Sequence, residues 1–269
     1  MITMINGVRY NVEKCGDGFP LLLLHGFTGA ASTWKPFCPI WEKHSLLVMA
    51  DLIGHGQTDS PEMAERYDIV SAANDLKVLL DVMGIEKTDL LGYSMGGRVA
   101  ITFASLYPEK VRKLVLESTT PGLKTESEKK TRIQQDHNLA SKIEEAGLKT
   151  FIEYWESIPL FQSQLNLPAK VREQIRSQRL QNNPAGLANS LRGMGTGAQP
   201  SWWDKLPVFD FETLLVTGTL DPKFCNIAEE MVSKLPNAKH LSIKDCGHAI
   251  HVEEPKKFGT IVSEFLSNT

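Results

Sequence analysis

The stretch Leu90-Leu91-Gly92-Tyr93-Ser94-Met95-Gly96-Gly97-Arg98 constrains the fold of this chain more than any other. An apolar run from Thr88 to Leu91 feeds Gly-x-Ser-x-Gly, and a helix-forming run from Arg98 to Leu106 leaves it. A strand that turns directly into a helix at a serine puts that serine in a strained backbone conformation. Gly92 and Gly96 remove the side chains that would clash at such a bend. The Ser94 hydroxyl then sits at a helix N-terminus, where backbone N–H groups and the helix dipole favour developing negative charge. A reactive serine of this kind needs partners, and these must come from elsewhere in the chain.

The rest of the chain has the rhythm that such a turn requires. Asn6-Gly7 between alternating apolar segments reads as a tight hairpin. Pro20–Leu24 and Leu46–Ala50 are short, wholly apolar runs, as expected for strands covered on both faces. Asp68 to Met83 carries apolar residues at helical spacing and stops at Gly84. Val111–Leu116, Thr213–Thr217 and Ala238–Ile243 read as further strands, with a closing helix from Pro255 to Leu266. Strands alternating with helices predict an α/β protein, its mostly parallel sheet covered by helices on both faces.

The alternation stops between Pro121 and Pro200, where helix-like runs cover Glu126–Ala146, Leu148–Ser157 and Ala169–Leu180. We therefore expect a core of residues 1–121 and 201–269 interrupted by a helical lid, residues 122–200. The lid holds 11 Lys/Arg against 8 Asp/Glu, whereas the whole chain carries a net charge of −3. A basic lid over a site suggests an anionic ligand, although a solvated helical surface accounts for most of these charges.

At 269 residues the chain fits one sizeable domain with an insertion. A pI near 6.2 argues against nucleic acid as a partner. No apolar run approaches the roughly 20 residues that span a bilayer, and no secretory signal is visible at Met1–Gly7. Cys15, Cys38, Cys225 and Cys246 form no C-x-x-C pair, so reduced thiols in a cytoplasmic protein are expected. A monomer is the default expectation.

A serine hydroxyl needs an imidazole to take its proton, and that imidazole needs a carboxylate to fix its tautomer. With the elbow and this element order, the chain resembles the α/β-hydrolase superfamily, whose members place these groups in the order Ser, Asp or Glu, His. Asp221 lies in the turn after the strand Leu214–Thr217, and His248 lies in the glycine-containing loop before the last helix. Both are expected at the sheet edge that carries Ser94. Asp136, Asp204, Asp210 and Asp245 also fall between Ser94 and His248, but none follows a strand in this way. The oxyanion hole is assigned to the backbone N–H groups of Met95 and Phe27. His25 is read as ordering its loop, and Asp51–Gly56 as a structural turn. His248 and His251 stand three apart without a third ligand at metalloprotease spacing, so no metal site is expected. His44, His137 and His240 have no partner that the sequence identifies.

Within that superfamily the chain resembles, over nearly its full length, the 2-succinyl-6-hydroxy-2,4-cyclohexadiene-1-carboxylate (SHCHC) synthases of menaquinone biosynthesis. The resemblance rests on Gly92–Arg98, Pro121-Gly122-Leu123 with Arg132 following, Tyr154-Trp155, Arg179–Asn183 and Leu191–Pro200. Met95 stands where leucine is common in the family. The resemblance implies a carbon–oxygen lyase without a cofactor, acting on an anionic small molecule with several carboxylates. It implies elimination of pyruvate, with Ser94 as the base that takes a substrate proton. Arg98, Arg132 and Arg179 are implied as carboxylate-binding residues, and Tyr93 and Trp155 as pocket lining. Two other readings keep the same fold. One is a carboxylesterase or C–C bond hydrolase with Ser94 as covalent nucleophile, and the other is a non-catalytic small-molecule receptor.

Overall fold

A computed structural model describes residues 1–267. Strands β1 (Ile2–Ile5) and β2 (Val8–Cys15) pair antiparallel across Asn6 and Gly7, which take φ of 47° and 81°. Left-handed residues at both turn positions match the twist of the flanking strands, which is why Asn-Gly serves here. The strand β3 (Phe19–Leu24) follows. Helix α1 (Cys38–Trp41) precedes β4 (Ser45–Ala50), and α2 (Ile69–Val82) precedes β5 (Thr88–Tyr93). Then come α3 (Met95–Leu106) and β6 (Val111–Glu117). After the insertion, β7 (Glu212–Gly218) and β8 (Ala238–Ile243) complete an eight-stranded sheet in the order β1-β2-β4-β3-β5-β6-β7-β8. Every pairing from β4 to β8 is parallel.

Successive side chains of a strand face opposite ways, and both faces of these strands are apolar. Leu22, Leu24, Val48, Leu90 and Leu114 pack against Leu76 and Leu80 of α2 and Val99 and Phe103 of α3. Their neighbours Leu21, Leu23, Leu47, Leu91 and Val115 face Trp34, Phe37 and Trp41 on the other side. That wholly buried alternation produces the continuous leucine runs seen in the sequence.

Between β6 and β7 lie three helices, α4 (Glu126–Ser157), α5 (Ala169–Arg179) and α6 (Pro184–Met194). A Thr125–Glu128 capping box starts α4, and Gly147 breaks it with φ 78° and ψ 161°, between the two runs that the sequence separates. The sequence pattern gives no helix at α6, because Gly186 and Gly193 dilute its helical signal. Those glycines are packing positions: a Cβ on Gly186 would lie 2.5 Å from the Gly54 carbonyl oxygen, and one on Gly193 2.5 Å from that of Ala64. Asn183 caps α6, its side chain accepting from the Ala185 and Gly186 N–H groups. Ile143, Phe151, Ile152, Leu187 and Leu191 give the insertion its own apolar cluster, which meets Phe27 of the core.

After β7 the chain forms α7 (Pro222–Val232), and after β8 it forms α8 (Ile250–Glu253) and α9 (Pro255–Ser267). One expectation fails. Cys15 at the end of β2 and Cys38 at the start of α1 are joined in a disulfide, their Cα atoms 6.2 Å apart. Their separation of 23 residues matches no motif, and only the fold places the two ends side by side. Cys225 and Cys246 are free, so the expectation of reduced thiols fails for the Cys15–Cys38 pair. Among the described residues no helix is long and apolar enough to cross a membrane.

Candidate active site

Ser94 joins β5 to α3 with φ 50° and ψ −107°, a strained conformation for a residue bearing a side chain. Its N–H donates to the Glu117 carbonyl at 2.8 Å, and its carbonyl accepts from Thr119 Oγ1 at 2.8 Å. The elbow fits only because its glycines are bare. A Cβ on Gly92 would lie 2.5 Å from the Gly96 carbonyl oxygen, and one on Gly96 would lie 2.3 Å from that of Leu24.

His248 Nε2 stands 2.9 Å from Ser94 Oγ, and His248 Nδ1 stands 2.7 Å from Asp221 Oδ2. With Nδ1–H donating to the carboxylate, Nε2 is left to accept the serine proton. Asp221 is also the N-cap of α7, where its Oδ1 accepts from the Phe224 N–H at 3.4 Å. One carboxylate therefore starts a helix and orients the imidazole. The imidazole is buried, with the Phe224 ring 4.7 Å away and the Phe161 ring 6.1 Å away.

Met95 is the first residue of α3, and Phe27 lies in the loop after β3. Neither backbone N–H has an acceptor among the described residues. The loop passes close over the serine, since a Cβ on Gly26 would lie 3.6 Å from Ser94 Cβ. His25 holds that loop: its Nδ1 pairs with the Gly26 carbonyl at 2.8 Å, and its Nε2 accepts from the Leu52 N–H at 3.0 Å. Burial lowers its pKa, which keeps the imidazole neutral and suited to that pattern. Asp51 ties the following turn together by accepting from the Ala31 and Gln57 N–H groups and the Asn11 side chain.

Arg98 and Arg132 line the cavity above Ser94. Arg98 is buried and donates to the Met194 carbonyl and to Gln199 Oε1, with no carboxylate bonded to it. Burial lowers its pKa to about 10, and the neighbouring Arg132 adds to that, against Asp136. Arg132 bonds Asp136 Oδ1 at 2.8 Å. Tyr93 meets His251 edge-on at 4.5 Å, and burial, followed by the Glu117 charge, raises its hydroxyl well above the usual range. Trp155 stacks on Phe151 at 5.7 Å and meets Phe27 edge-on at 5.3 Å. Among the described residues its buried Nε1 has no hydrogen-bond partner, and the same holds for Ser118 Oγ in the same lining. Arg179 stands apart. It borders the adjoining clefts behind Phe161, 5.1 Å from that ring, and bonds Glu156 at 3.3 Å.

Comparison with known proteins fits this geometry. The family described as alpha/beta hydrolase fold matches residues 20–255. The chain belongs to that family. A Bacillus subtilis protein named "Putative 2-succinyl-6-hydroxy-2,4-cyclohexadiene-1-carboxylate synthase" is 47% identical over 99% of this chain and 98% of its own length. The Klebsiella pneumoniae 2-succinyl-6-hydroxy-2,4-cyclohexadiene-1-carboxylate synthase is 32% identical over 96% of this chain and 98% of its own. Among solved structures, MenH from S. aureus superimposes with a TM-score of 0.90 at 36% identity, covering 96% of this chain and 97% of its own. A thermophilic esterase from Thermogutta terrifontis reaches 0.84 at 28% identity, covering 98% and 96%.

In this α/β-hydrolase-fold protein, sequence reasoning overlooked four residues at the site. Glu117 ends β6 and accepts from both the backbone and ring N–H of His251 at 3.0 and 2.9 Å, which fixes the surface against which Tyr93 rests. The second histidine of the pair three apart is thereby occupied. The Phe161 ring lies 5.1 Å from the Arg179 guanidinium and 6.1 Å from the His248 ring, and Ser118, at φ 47°, carries a hydroxyl without a partner among the described residues. Lys223, two residues past Asp221, lines the cavity mouth. No local motif marks any of the four.

Proposed function

We propose that this protein is an SHCHC synthase, a carbon–oxygen lyase that eliminates pyruvate from 2-succinyl-5-enolpyruvyl-6-hydroxy-3-cyclohexene-1-carboxylate. The observation that carries the reading is Arg98, a buried guanidinium beside Ser94 that only neutral oxygens satisfy. A buried cation costs stability unless something charged joins it, and a substrate carboxylate would do so. The 47% identity to the B. subtilis protein supports the same reading.

In this reading His248 takes the Ser94 proton and Asp221 stabilises the imidazolium. The Ser94 oxygen then removes an acidic proton from a substrate carbon. The ring carbon–oxygen bond of the enolpyruvyl ether breaks, and pyruvate leaves as its enolate and is protonated. Met95 and Phe27 hold the oxyanion that develops on the substrate. Arg98 and Arg132 bind carboxylates through their planar forks, and Trp155 Nε1 donates to a substrate oxygen. Arg179 reaches the same molecule from the adjoining cleft that Phe161 also lines. Residues 122–200 serve as the lid over a core of residues 1–121 and 201–269. No water is consumed and no acyl-enzyme forms. A diffusible polyanionic substrate suits a cytoplasmic enzyme.

Supplying the enolpyruvyl precursor and following pyruvate tests this directly. Turnover well above the spontaneous rate supports the lyase, and none beyond it overturns the reading. The similarity to a thermophilic esterase favours one alternative, a hydrolase that uses Ser94 as a nucleophile. Rapid cleavage of activated esters in the absence of pyruvate release would establish that alternative.

A further inference from the structure

Three cationic side chains line one cavity from three different elements: Arg98 from α3, Arg132 from α4 and Lys223 from the first turn of α7. The Arg132 charge acts on both Arg98 and Lys223, and Asp136 offsets it at Arg98. Asp136 is the carboxylate within reach, and it is already occupied by the Arg132 Nε at 2.8 Å and the Gly197 N–H at 3.3 Å. Among the described residues no carboxylate stands within ion-pair distance of Lys223.

Lys223 is exposed, its Nζ 5.4 Å over the Phe224 ring, and two features of its position favour an anion beside it. Like charges carried on separate elements repel where they converge. A cation in the first turn of a helix also opposes the helix dipole, which favours anions there. The ammonium nevertheless sits at the mouth of the site that holds Ser94 and His248, and the adjacent Phe224 ring packs on that histidine. The same cavity presents the Trp155 Nε1 and Ser118 Oγ, which have no partner among the described residues.

We propose that Lys223 is a specificity-determining residue that, with Arg132, clamps one carboxylate of the substrate at the cavity mouth. This rests on the lyase reading above and deepens it. Arg98 lies deeper, so it takes a different carboxylate. An anion bound between α4 and α7 ties the helical insertion to the core and relieves the repulsion between Arg132 and Lys223. Burial and the Arg132 charge both lower the Lys223 pKa, and the Asp221 carboxylate opposes them. The ammonium therefore loses its proton at a lower pH than an ordinary lysine. The charged and titratable groups around it are Arg98, Arg132 and Asp136 on α3 and α4, Asp221 at the start of α7, and His248.

The test compares wild type with Lys223→Met and Lys223→Arg, using pyruvate release and calorimetric binding of a stable aromatic dicarboxylate that bears the succinyl and ring carboxyl groups. Lys223→Met should raise KM and the probe's Kd about fivefold to twentyfold, the loss of one charge-assisted contact at a solvated rim, with kcat changed less than about threefold. It should also flatten the fall of kcat/KM with added salt, which a structural role would leave alone. Lys223→Arg should keep the affinity and extend it to higher pH. If wild type turns over and Lys223→Met matches it within twofold in KM, probe binding and salt dependence, the clamp is wrong and the lyase reading stands. If wild type neither releases pyruvate nor binds the probe, the lyase reading falls and the clamp falls with it.

Discussion

Ser94, His248 and Asp221 form a hydrogen-bonded line, and the residues around that line give the serine its proposed role. Ser94→Ala should lower kcat about a hundredfold to ten-thousandfold, the usual worth of a positioned acid–base group, while probe binding by calorimetry stays nearly constant. A comparable loss of binding would mean that the hydroxyl anchors substrate instead. Arg132→Lys keeps the charge but loses the fork that holds Asp136 at 2.8 Å, so KM should rise about tenfold with kcat little changed. Steady-state kinetics with an unchanged KM would remove Arg132 from the binding set. Arg179 is the informative contrast. Expected among the carboxylate-binding residues, it lines the adjoining clefts and not the cavity above Ser94, with the Phe161 ring 5.1 Å away. A sequence shows which side chains are present, and it does not show which cleft each one lines.

At the scale of elements, the strand–elbow–helix unit could be read because its physics is local. Apolar runs, a glycine-flanked serine and a helical continuation lie next to one another in the chain. Asp221 and His248 could be read because each follows a strand and so falls at the same sheet edge. Glu117, Phe161 and Lys223 could not, because their neighbours come from strands and helices distant in sequence. The Cys15–Cys38 bond was hidden for the same reason. Helix α6 was hidden because its glycines serve close packing against Gly54 and Ala64. Two substitutions test the local physics. Asp68 caps α2 by accepting from the Val70 and Ser71 N–H groups at 3.0 Å, so Asp68→Ala should cost about 1 kcal/mol in urea unfolding. Gly96→Ala would drive a Cβ to within 2.3 Å of the Leu24 carbonyl oxygen. That contact should cost about 2 kcal/mol or more and abolish pyruvate release; a stable, active variant would show that the elbow is looser than described.

For the whole molecule, the site couples to stability through buried histidines. Burial, with the neighbouring His25 imidazole adding to it, lowers the His55 pKa from 6.5 to about 3, so the imidazole stays neutral in the folded state. Above pH 6.5 both folded and unfolded forms are neutral and the residue contributes no pH dependence. As pH falls through the window from 6.5 to about 3, only the unfolded chain gains the proton and stability declines. Each such group contributes up to about 1.4 kcal/mol per pH unit. His55→Gln should therefore flatten the urea-derived stability profile between about pH 6 and 4, and an unchanged slope would remove His55 from the account. His55 lies in the turn after β4 with its ring 5.8 Å from that of Phe27, so activity and folding should decline over the same range.

The central claim is that Ser94 acts as a base and is never acylated. Rapid-quench intact-protein mass spectrometry during turnover of the enolpyruvyl substrate tests it most directly. The account predicts pyruvate appearing at the catalytic rate while the protein mass stays unmodified at every time point. A covalent adduct on Ser94 that forms and decays at the turnover rate would contradict it.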